Sequence, residues 1–563
     1  MIMMIKRNPF STFIVILFSG LLLNLVTACE LVVRLPGQEE PPAAAQQSQP
    51  APPTATSTAS PTATAKPSPT TTPSPTPPPP SPTVPPSPTV TPTADLSIYR
   101  QAMRPAYADD ISAVIAAGAS RYNIDISLYF VDDDRHFPVH LTGTEEIYYT
   151  NTENVPLSEL YFRLYPNLPG YSGEMTVSSV TAAGTPVTFA LEADDTALRA
   201  PLAQPLPPGE SIKLTLTFEA KIPGHIRGGG YNIFLYRADT TTLPGFYPAL
   251  AVYDDEGWNI EIPPAYGDAA FLDASLYRVS LTVPAEQVVA ASGSLLDSRT
   301  NEDGTKTLQF VSGPMRDFFI TMNPTYQTSR QTVDNITVTS YYPPDLADGG
   351  QKALQYAVDA LTLYNQIFGP YPYAEFDLAA TPTTAGGVEY PGIVVLAQNI
   401  YGQSGNFFEH ATVHEVAHQW WYNVVGNDQF DEPWLDESLT NYSAVLYWEA
   451  VKGPEMGQTI VADYLRGPYE RAKAQGRDRS VIGPVADFTE EDYNVFVYSK
   501  GPLFFDALRT AVTPEIFAEI LQAYYRQHRY EIAYPPDLLN AIEQVSGQDV
   551  EPLYQEWLAS PTE

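Results

Sequence analysis

The stretch His414-Glu415-Val416-Ala417-His418 constrains the fold of this chain more than any other part of its sequence. Residues four apart on an α-helix point the same way, so both imidazoles would leave one face of one helix. The surrounding segment, FFEHATVHEVAHQWWYNVVG, is apolar on both sides of the motif, which predicts a buried helix. A buried helix tolerates unpaired His and Glu poorly, and a bound metal ion would satisfy them.

Glu437, in the segment WLDESLTNY, supplies a third ligand of a type that zinc accepts. Two imidazoles and one carboxylate leave a fourth coordination position open, as in catalytic zinc sites. Glu415 lies beside the first histidine, where it could take a proton from zinc-bound water. The alternative, a helix with two surface histidines, is disfavoured by the apolar flanks. We therefore predict one catalytic Zn²⁺ ion, with His414, His418 and Glu437 as its ligands.

His410 precedes His414 by four residues and could share its helix face. As a fourth ligand it would close the site to water, and it lies one helical turn, about 5.4 Å, further along the axis. We expect His410 to support the ligands or the helix rather than to bind the metal.

The chain of 563 residues is strongly acidic, with a formal net charge of −35 at pH 7. The sequence contains no basic cluster that would offset this charge. Phosphate backbones would be repelled by such a surface, so we expect no nucleic-acid partner. Acidity also favours solubility, and it says little about a substrate.

Cys29 is the only cysteine, so no intramolecular disulfide can form. Lys6 and Arg7 precede the apolar run TFIVILFSGLLLNLVTA, which is typical of a secretory signal. The ending Val-Thr-Ala-Cys resembles a bacterial lipobox, which implies cleavage before Cys29 and a lipid on its sulfur. The alternative is an uncleaved anchor, since about 17 apolar residues could just span a bilayer. We expect a signal peptide at 1–28 and an extracytoplasmic protein held to the cell membrane by the lipid.

Residues 29–94 become almost wholly Pro, Thr, Ser and Ala from about Pro36 onward. Such a segment cannot bury a core and favours extended polyproline II conformation. It predicts a lipid-anchored, disordered stalk.

The rest of the chain divides into two patterns. Residues 95–343 begin with a short helical stretch around 110–117 and then alternate polar and apolar residues, as in YNIDISLYF, SIKLTLTFEAKI and NITVTSYY. This alternation predicts a β-rich domain. Residues 344–563 contain strands such as FDLAATP and GIVVLAQNI, but helical spacing dominates after Asn406. We predict an α+β fold with a β-rich N-terminal domain and a mostly helical second domain.

Two further positions carry weaker signals. Glu389 lies in GGVEY, just before the strand GIVVLAQN, where Gly386 and Gly387 would let backbone approach a ligand closely. Its carboxylate could bind a cationic group, although a glutamate at a strand edge is usually solvated. Tyr498, in VYSKG, could donate to an oxyanion. With 36 tyrosines in the chain, spacing alone does not select it.

Together, HEVAHQWW, WLDES, the upstream GGVEY and the downstream VYSKG resemble the M1 family of zinc aminopeptidases, a gluzincin family. The matches occur in the family's order and at about its spacings. The resemblance implies a saddle-like β domain at 95–343 and a thermolysin-like catalytic domain at 344–563.

The resemblance also implies roles for the site residues. His414, His418 and Glu437 would bind zinc, Glu415 would be the general base, and Tyr498 would stabilise the transition state. The GGVEY segment, with Glu389, Gly386 and Gly387, would bind the free α-amino group of a peptide. We accordingly expect a monomer that removes N-terminal residues from peptides with a free N-terminus at the cell surface.

Three departures from the family's pattern affect this expectation. Val388 replaces Met, and Tyr390 replaces the Asn of GxMEN, which changes the shape beside the amine anchor. Ser499 replaces the Glu of YEKG. We also expect a more open active site, since the large helical C-terminal domain of many members has no counterpart before Glu563. The alternatives are an endopeptidase, another hydrolase such as one acting on small epoxides, and a non-catalytic binding module.

Overall fold

The computed structural model describes residues 95–226 and 230–559. The predicted signal peptide at 1–28, the lipidation site Cys29 and the predicted stalk at 29–94 lie outside the described residues. Within the described part of the chain, no helix combines the length and the apolar character needed to cross a membrane.

Strands dominate the described chain before residue 343. The bounds of these strands are β1 Arg121–Phe130, β2 Val139–Thr150, β3 Leu157–Arg163, β4 Glu174–Ala182, β5 Thr185–Pro186, β6 Ala190–Glu192, β7 Ala197–Leu206, β8 Ser211–Ile222, β9 Leu235–Arg237, β10 Thr240–Leu243, β11 Ala249–Leu250, β12 Ser275–Pro284, β13 Val288–Ala291, β14 Ser294–Thr300, β15 Thr305–Met315, β16 Ile320–Asn323, β17 Gln327–Val333 and β18 Ile336–Tyr342. In the long strands β1, β2 and β8, residues alternate between buried and more exposed positions because a strand turns successive side chains to opposite faces.

These strands form three sheets and part of a fourth. The largest sheet has the order β14-β15-β12-β1-β2-β8-β4-β5, and its strands pair antiparallel except for β1 and β12. Two four-stranded sheets have the orders β13-β16-β10-β9 and β11-β3-β7-β6. The predicted β-rich character of this region is confirmed.

The fourth sheet contains strands from both sides of residue 343. It has the order β17-β18-β19-β21-β20, where β19 is Glu375–Thr381, β20 is Gly387–Tyr390 and β21 is Ile393–Ala397. Strand β18 pairs parallel with β19, and β19 pairs parallel with β21. The segment NITVTSYY, which the sequence assigned to the first domain, therefore shares a sheet with strands of the second region. The domain boundary at 343/344 itself remains a prediction.

Helices dominate after residue 400. One helix lies before the strands, α1 Asp110–Ala116, and the others are α2 Ala347–Ile367, α3 Phe407–Ala417, α4 Glu437–Lys452, α5 Pro454–Ile460, α6 Gly467–Ala474, α7 Glu490–Val495, α8 Gly501–Ala511, α9 Pro514–Gln527, α10 Pro535–Ser546 and α11 Glu551–Tyr554. Short π-helical turns cover Val461–Arg466, Phe496–Lys500 and Gln555–Ala559, and short 3₁₀ turns cover Tyr99–Ala102, Pro105–Tyr107, Tyr165–Asn167, Pro344–Leu346, Gln398–Ile400 and Val485–Asp487. The predicted α+β class is confirmed.

Helix α3 lies in the core of the second region, as its apolar flanks predicted. Every one of its residues after Phe407 is buried. The buried Trp420 and Trp421 come directly after its C-terminal end, where Trp420 packs on Tyr364 of α2 and Trp421 Nε1 donates to Ser443 Oγ of α4 at 3.1 Å. This packing fixes the position of the histidine motif inside the molecule.

Candidate active site

The three predicted metal ligands come from two helices that pack against each other. His414 lies in α3, and Glu437 is the first residue of α4. His418 follows the last residue of α3, a small correction to the predicted helix, but its φ of −59° and ψ of −15° remain helical. Its imidazole therefore still points to the same side as that of His414.

The three ligand atoms form a nearly equilateral triangle. His414 Nε2 lies 3.2 Å from His418 Nε2 and 3.2 Å from Glu437 Oε2, and His418 Nε2 lies 3.4 Å from Glu437 Oε2. Zinc–nitrogen and zinc–oxygen bonds of about 2.0–2.1 Å in a tetrahedron place neighbouring ligand atoms about 3.3 Å apart. Glu437 Oε2 is buried and has no hydrogen-bond partner among the described residues. These residues therefore fit a single zinc ion, with a fourth position open.

Hydrogen bonds behind His418 orient its ring towards that triangle. Its Nδ1 lies 3.0 Å from the Trp421 carbonyl oxygen and 3.3 Å from Thr440 Oγ1. Donation from Nδ1–H to the carbonyl leaves the lone pair on Nε2, the nitrogen that faces the other ligands.

Tyr498 contacts the other oxygen of the Glu437 carboxylate. It lies in the π-helical turn Phe496–Lys500, and its hydroxyl donates to Glu437 Oε1. Burial raises the pKa of the Tyr498 phenol, and the Glu437 carboxylate raises it further. The phenol consequently keeps its proton and stays a hydrogen-bond donor, as its predicted role requires.

Glu415 lies in α3, and its side chain is buried against strand β20. Gly387 packs directly on it, because a Cβ at position 387 would lie only 2.4–2.5 Å from three atoms of the Glu415 side chain. Burial raises the pKa of the Glu415 carboxyl, and the nearby charge of Glu389 acts in the same direction. A carboxylate that binds a proton more readily is better suited to accept one from water.

Glu389 lies before β21, as the sequence indicated, and is itself part of the short strand β20 at the edge of the five-stranded sheet. Alternation along β20 turns Glu389 to the same side as Gly387, towards α3. Its side chain is 6% exposed, and no hydrogen bond or ion pair to it is found among the described residues. Glu389 is thus far less exposed than a surface glutamate, and its role as an amine anchor stays a prediction.

His410 supports the helices and stands apart from the ligands. Its Nε2 lies 2.9 Å from Asn441 Oδ1, and its Nδ1 accepts a hydrogen bond from Trp448 Nε1. Burial lowers the pKa of His410 to about 4, so the ring is neutral at physiological pH. The expectation of a supporting role agrees with these contacts.

Sequence reasoning missed two residues at the site. Asp268, in the region of strands, places a carboxylate oxygen within 4.8 Å of oxygens of both Glu389 and Glu437. Asn441, in α4, donates to the Tyr498 carbonyl oxygen at 2.5 Å while its Oδ1 contacts His410. The interior position of Asn441, one helical turn after Glu437, was a signal that could have indicated its role.

Two histidines and a glutamate thus converge beside a second buried glutamate, an arrangement that could hold one zinc ion with a general base next to it. Residues 352–557 match the family described as Peptidase family M1 domain.

Named proteins are similar in sequence to part of the chain. Aminopeptidase M1 of Arabidopsis thaliana is 26% identical over 344 residues, which are 56% of this chain and 38% of that protein. Aminopeptidase N of Lactococcus lactis is 29% identical over 227 residues, which are 37% of this chain and 26% of that protein. The chain thus spans well under half the length of these relatives.

Solved structures share the fold. The M1 zinc metallopeptidase from Deinococcus radiodurans is similar with a TM-score of 0.60 and 21% identity, over 79% of this chain and 94% of that protein. A glutamate-to-alanine mutant of that protein, solved with a Tyr-Ser-Ala substrate, is similar with a TM-score of 0.59 at the same identity, over 79% of this chain and 95% of that protein. At this identity the likeness concerns the fold.

Proposed function

We propose that this protein is a zinc-dependent aminopeptidase that removes N-terminal residues from peptides. The observation that carries the proposal is Glu389, a buried carboxylate without a described partner, beside the zinc-type ligands. A free α-amine has a reference pKa near 8 and is largely cationic at neutral pH, so it can pair with Glu389. The match of residues 352–557 to the Peptidase family M1 domain supports the same reaction class.

Each residue of the site has a separate role in peptide hydrolysis. A bound zinc ion supplies a Lewis acid that polarises a carbonyl oxygen and makes water more acidic. Glu415 accepts a proton from the attacking water and later delivers it to the leaving amine. Tyr498 donates its hydroxyl hydrogen to the oxyanion that develops on the scissile carbonyl. Glu389 holds the α-ammonium group, so that cleavage occurs one residue from the chain end.

A panel of aminoacyl-amide fluorogenic substrates tests the proposal, run with and without a chelator. We expect hydrolysis of free-amine substrates, its loss on chelation and its recovery with Zn²⁺. Glu415→Gln should keep zinc and lower turnover by at least about 10²-fold, because a general base typically contributes 10²–10⁴-fold. Equal cleavage of N-acetylated and free-amine substrates by the unaltered enzyme would refute exopeptidase action and favour an endopeptidase.

We further propose that the enzyme works outside the cytoplasm as a monomer, held to the cell membrane by a lipid on Cys29. The supporting features are the apolar run before Cys29, its lipobox-like ending and the Pro/Thr/Ser-rich segment that follows. Globomycin, an inhibitor of lipoprotein signal peptidase, should cause the uncleaved precursor to accumulate. An unchanged product would exclude the lipoprotein, and light scattering on the purified protein would test the monomer.

A further inference from the structure

A cavity of about 480 Å³ lies on the face of the eight-stranded sheet that is turned away from the core, beside the 3₁₀ turn Tyr99–Ala102. It shares no residue with the candidate active site, and no role in the proposed hydrolysis falls to the residues that line it. Sites for small molecules in proteins have volumes of about 300–1,000 Å³. The cavity is therefore large enough to hold a small molecule of its own.

Two arginines from neighbouring strands line this cavity, Arg121 of β1 and Arg278 of β12. In the parallel register of the two strands, Asn123 pairs with Arg278. Arg121 lies two residues before Asn123, so both arginines extend from the same face of the sheet, with Cα atoms about 8 Å apart. Two guanidinium groups at this separation can reach one carboxylate between them.

These arginines have no acidic partner. Within residues 95–226 and 230–559, neither guanidinium takes part in an ion pair or donates a hydrogen bond. Acidic residues outnumber basic ones by 65 to 30 in the chain, so a shortage of acids does not explain this. The Arg121 guanidinium lies 4.6 Å from the centroid of the Tyr148 ring, a contact that orients it without neutralising its charge. The cavity thus offers positive charge to an anionic group.

Two aspartates line the same cavity, Asp95 and Asp297. Asp297 of β14 pairs with Gln309, whose amide donates to Ser280 Oγ at 2.7 Å. Ser280 lies two residues after Arg278, so Asp297 extends from the same sheet face as Arg278. In the part of the chain that the structure describes, neither aspartate forms an ion pair. The cavity therefore presents both signs of charge, and the opposite charges do not neutralise each other by direct contact.

This combination of charges limits the class of ligand. A phosphate ion would meet two aspartates, and a simple cation would meet two arginines. A zwitterion satisfies both, because its carboxylate can accept from guanidinium groups while its ammonium donates to carboxylates. Ile98 and Leu296 add apolar surface to the wall, which suits an apolar side chain on the ligand.

We propose that this cavity binds a free α-amino acid with an apolar side chain, at a site separate from the metal ligands. The ligand's carboxylate binds Arg121 and Arg278, and its ammonium group binds Asp297 and Asp95. Its side chain packs against Leu296. The inference does not depend on the proposed aminopeptidase function, although an enzyme of that kind would release molecules of this class.

Calorimetric titration with L-leucine tests the proposal. The zinc-loaded protein carries Glu389→Ala, so that the proposed amine anchor of the active site is removed. We expect one leucine per chain with a Kd of about 1 mM or tighter. Adding Arg278→Gln should weaken binding at least about tenfold, which corresponds to one lost charged hydrogen bond. Arg299→Gln changes an exposed arginine of β14 that does not line the cavity, and this matched control should leave the affinity unchanged.

Two analogues of leucine test the zwitterion. Leucinamide lacks the carboxylate and N-acetyl-leucine lacks the ammonium group, so each should bind at least about tenfold more weakly than leucine. Equal binding of either analogue, or tighter binding of inorganic phosphate, would overturn the proposal.

Other outcomes separate this site from the proposed function. Because Arg278 is exposed, Arg278→Gln should keep its melting curve, and full affinity for leucine in this folded variant would show that the cavity is not the site. A Kd above about 10 mM for leucine would also refute the amino-acid site, whatever the enzyme cleaves. If leucine binds as expected but the unaltered enzyme cleaves no free-amine substrate, the site stands and the proposed function fails.

Discussion

At the residue scale, Gly387 shows how closely the site is packed. A methyl group at this position would lie within 2.5 Å of the Glu415 side chain, which is buried and has little room to move. We expect Gly387→Ala to shift the predicted general base and to lower kcat by at least about tenfold, since small displacements of catalytic groups can cost about 10²-fold. Zinc content should stay the same, as measured by atomic absorption.

Gly402→Ala is the matched control for this change. A Cβ at Gly402 would meet no heavy atom within 4 Å, so the variant should keep normal kcat. Full activity in Gly387→Ala would mean that Glu415 does not occupy its described position during turnover.

A second residue, Asp317, makes the stability of the fold depend on pH. Burial raises the pKa of its carboxyl from 3.8 to about 6, although its Oδ1 accepts hydrogen bonds from Tyr247 and from Phe318 N. The folded state therefore holds a proton that the unfolded state releases between about pH 4 and pH 6. The stabilisation from this proton is complete below about pH 4 and is lost as the pH rises through about 6.

Asp317→Asn should remove this dependence, because the amide keeps the acceptor oxygen without a charge. The free energy of unfolding of Asp317→Asn minus that of the unaltered protein should be up to about 3 kcal/mol larger at about pH 7.5 than at about pH 4. Denaturant unfolding of both proteins at the two pH values measures the difference, and the comparison cancels the titration of every other group. If the difference in free energy of unfolding between the two proteins is the same at both pH values, the raised pKa of Asp317 is wrong.

The site residues differed in how far the sequence could predict them. His414, Glu415 and His418 follow from helical spacing, which is a local property. Tyr498 and Glu389 were selected by resemblance to a family, since neither has a local signal that stands out. Asp268 could not be found, because its approach to Glu389 depends on how the strands pack against the helices.

At the element scale, the π-helical turn Phe496–Lys500 determines where Tyr498 points. It is held against α4 by two bonds, from Ser438 Oγ to the Val497 carbonyl oxygen at 2.6 Å and from Asn441 Nδ2 to the Tyr498 carbonyl oxygen. Gly501 lets the turn approach so closely, since a Cβ there would lie 2.0 Å from Ser438 Oγ. Turns of this kind often occur at functional sites.

Asn441→Ala should loosen this turn. The change removes the bond to the Tyr498 carbonyl oxygen and the partner of His410, so we expect a loss of about 1–3 kcal/mol in stability and about tenfold in kcat. Asn494→Ala, on the exposed face of α7, is the control, and it should change stability and kcat only slightly. Unchanged kcat in a destabilised Asn441→Ala would show that the turn has no influence on turnover.

Some elements could be predicted from the sequence and others could not. The strands β1, β8 and β18 follow from the alternation of polar and apolar residues in their sequences. Strand β20 has only four residues and begins with glycine, which is too short for a period to show. The π-helical turn leaves no sequence period either, because it is a local change of hydrogen bonding within helical sequence.

At the scale of the whole molecule, the metal site links the second region's helices. His414, His418 and Glu437 bring three buried polar atoms together from α3, its end and α4, and a zinc ion would satisfy them. Zinc that binds only the folded state adds about 4 kcal/mol at roughly a thousandfold excess over its Kd. Removal by a chelator should therefore lower the melting temperature by several degrees, and added Zn²⁺ should restore it. An unchanged melting curve with complete zinc loss would contradict the assigned ligands.

The arrangement of the two regions was the least predictable feature. Parallel pairing of β18 with β19 joins chain segments on both sides of α2. The order of strand, helix and strand is compatible with such a crossover, but the predicted boundary at 343/344 placed the two strands in different domains. The position of the Asp268 loop at the site likewise depends on contacts between the two regions. Local patterns thus predicted the fold class and the metal ligands, whereas contacts between the regions required the structure.

The most direct test of the account follows one peptide over time by mass spectrometry. The peptide is offered to the zinc-loaded enzyme with a free N-terminus and, separately, with an acetylated one. We predict a ladder of products, each one residue shorter from the N-terminus, from the free peptide and no cleavage of the acetylated one. Internal cleavage of either peptide, or equal consumption of both, would contradict the claim that Glu389 restricts the enzyme to chain ends.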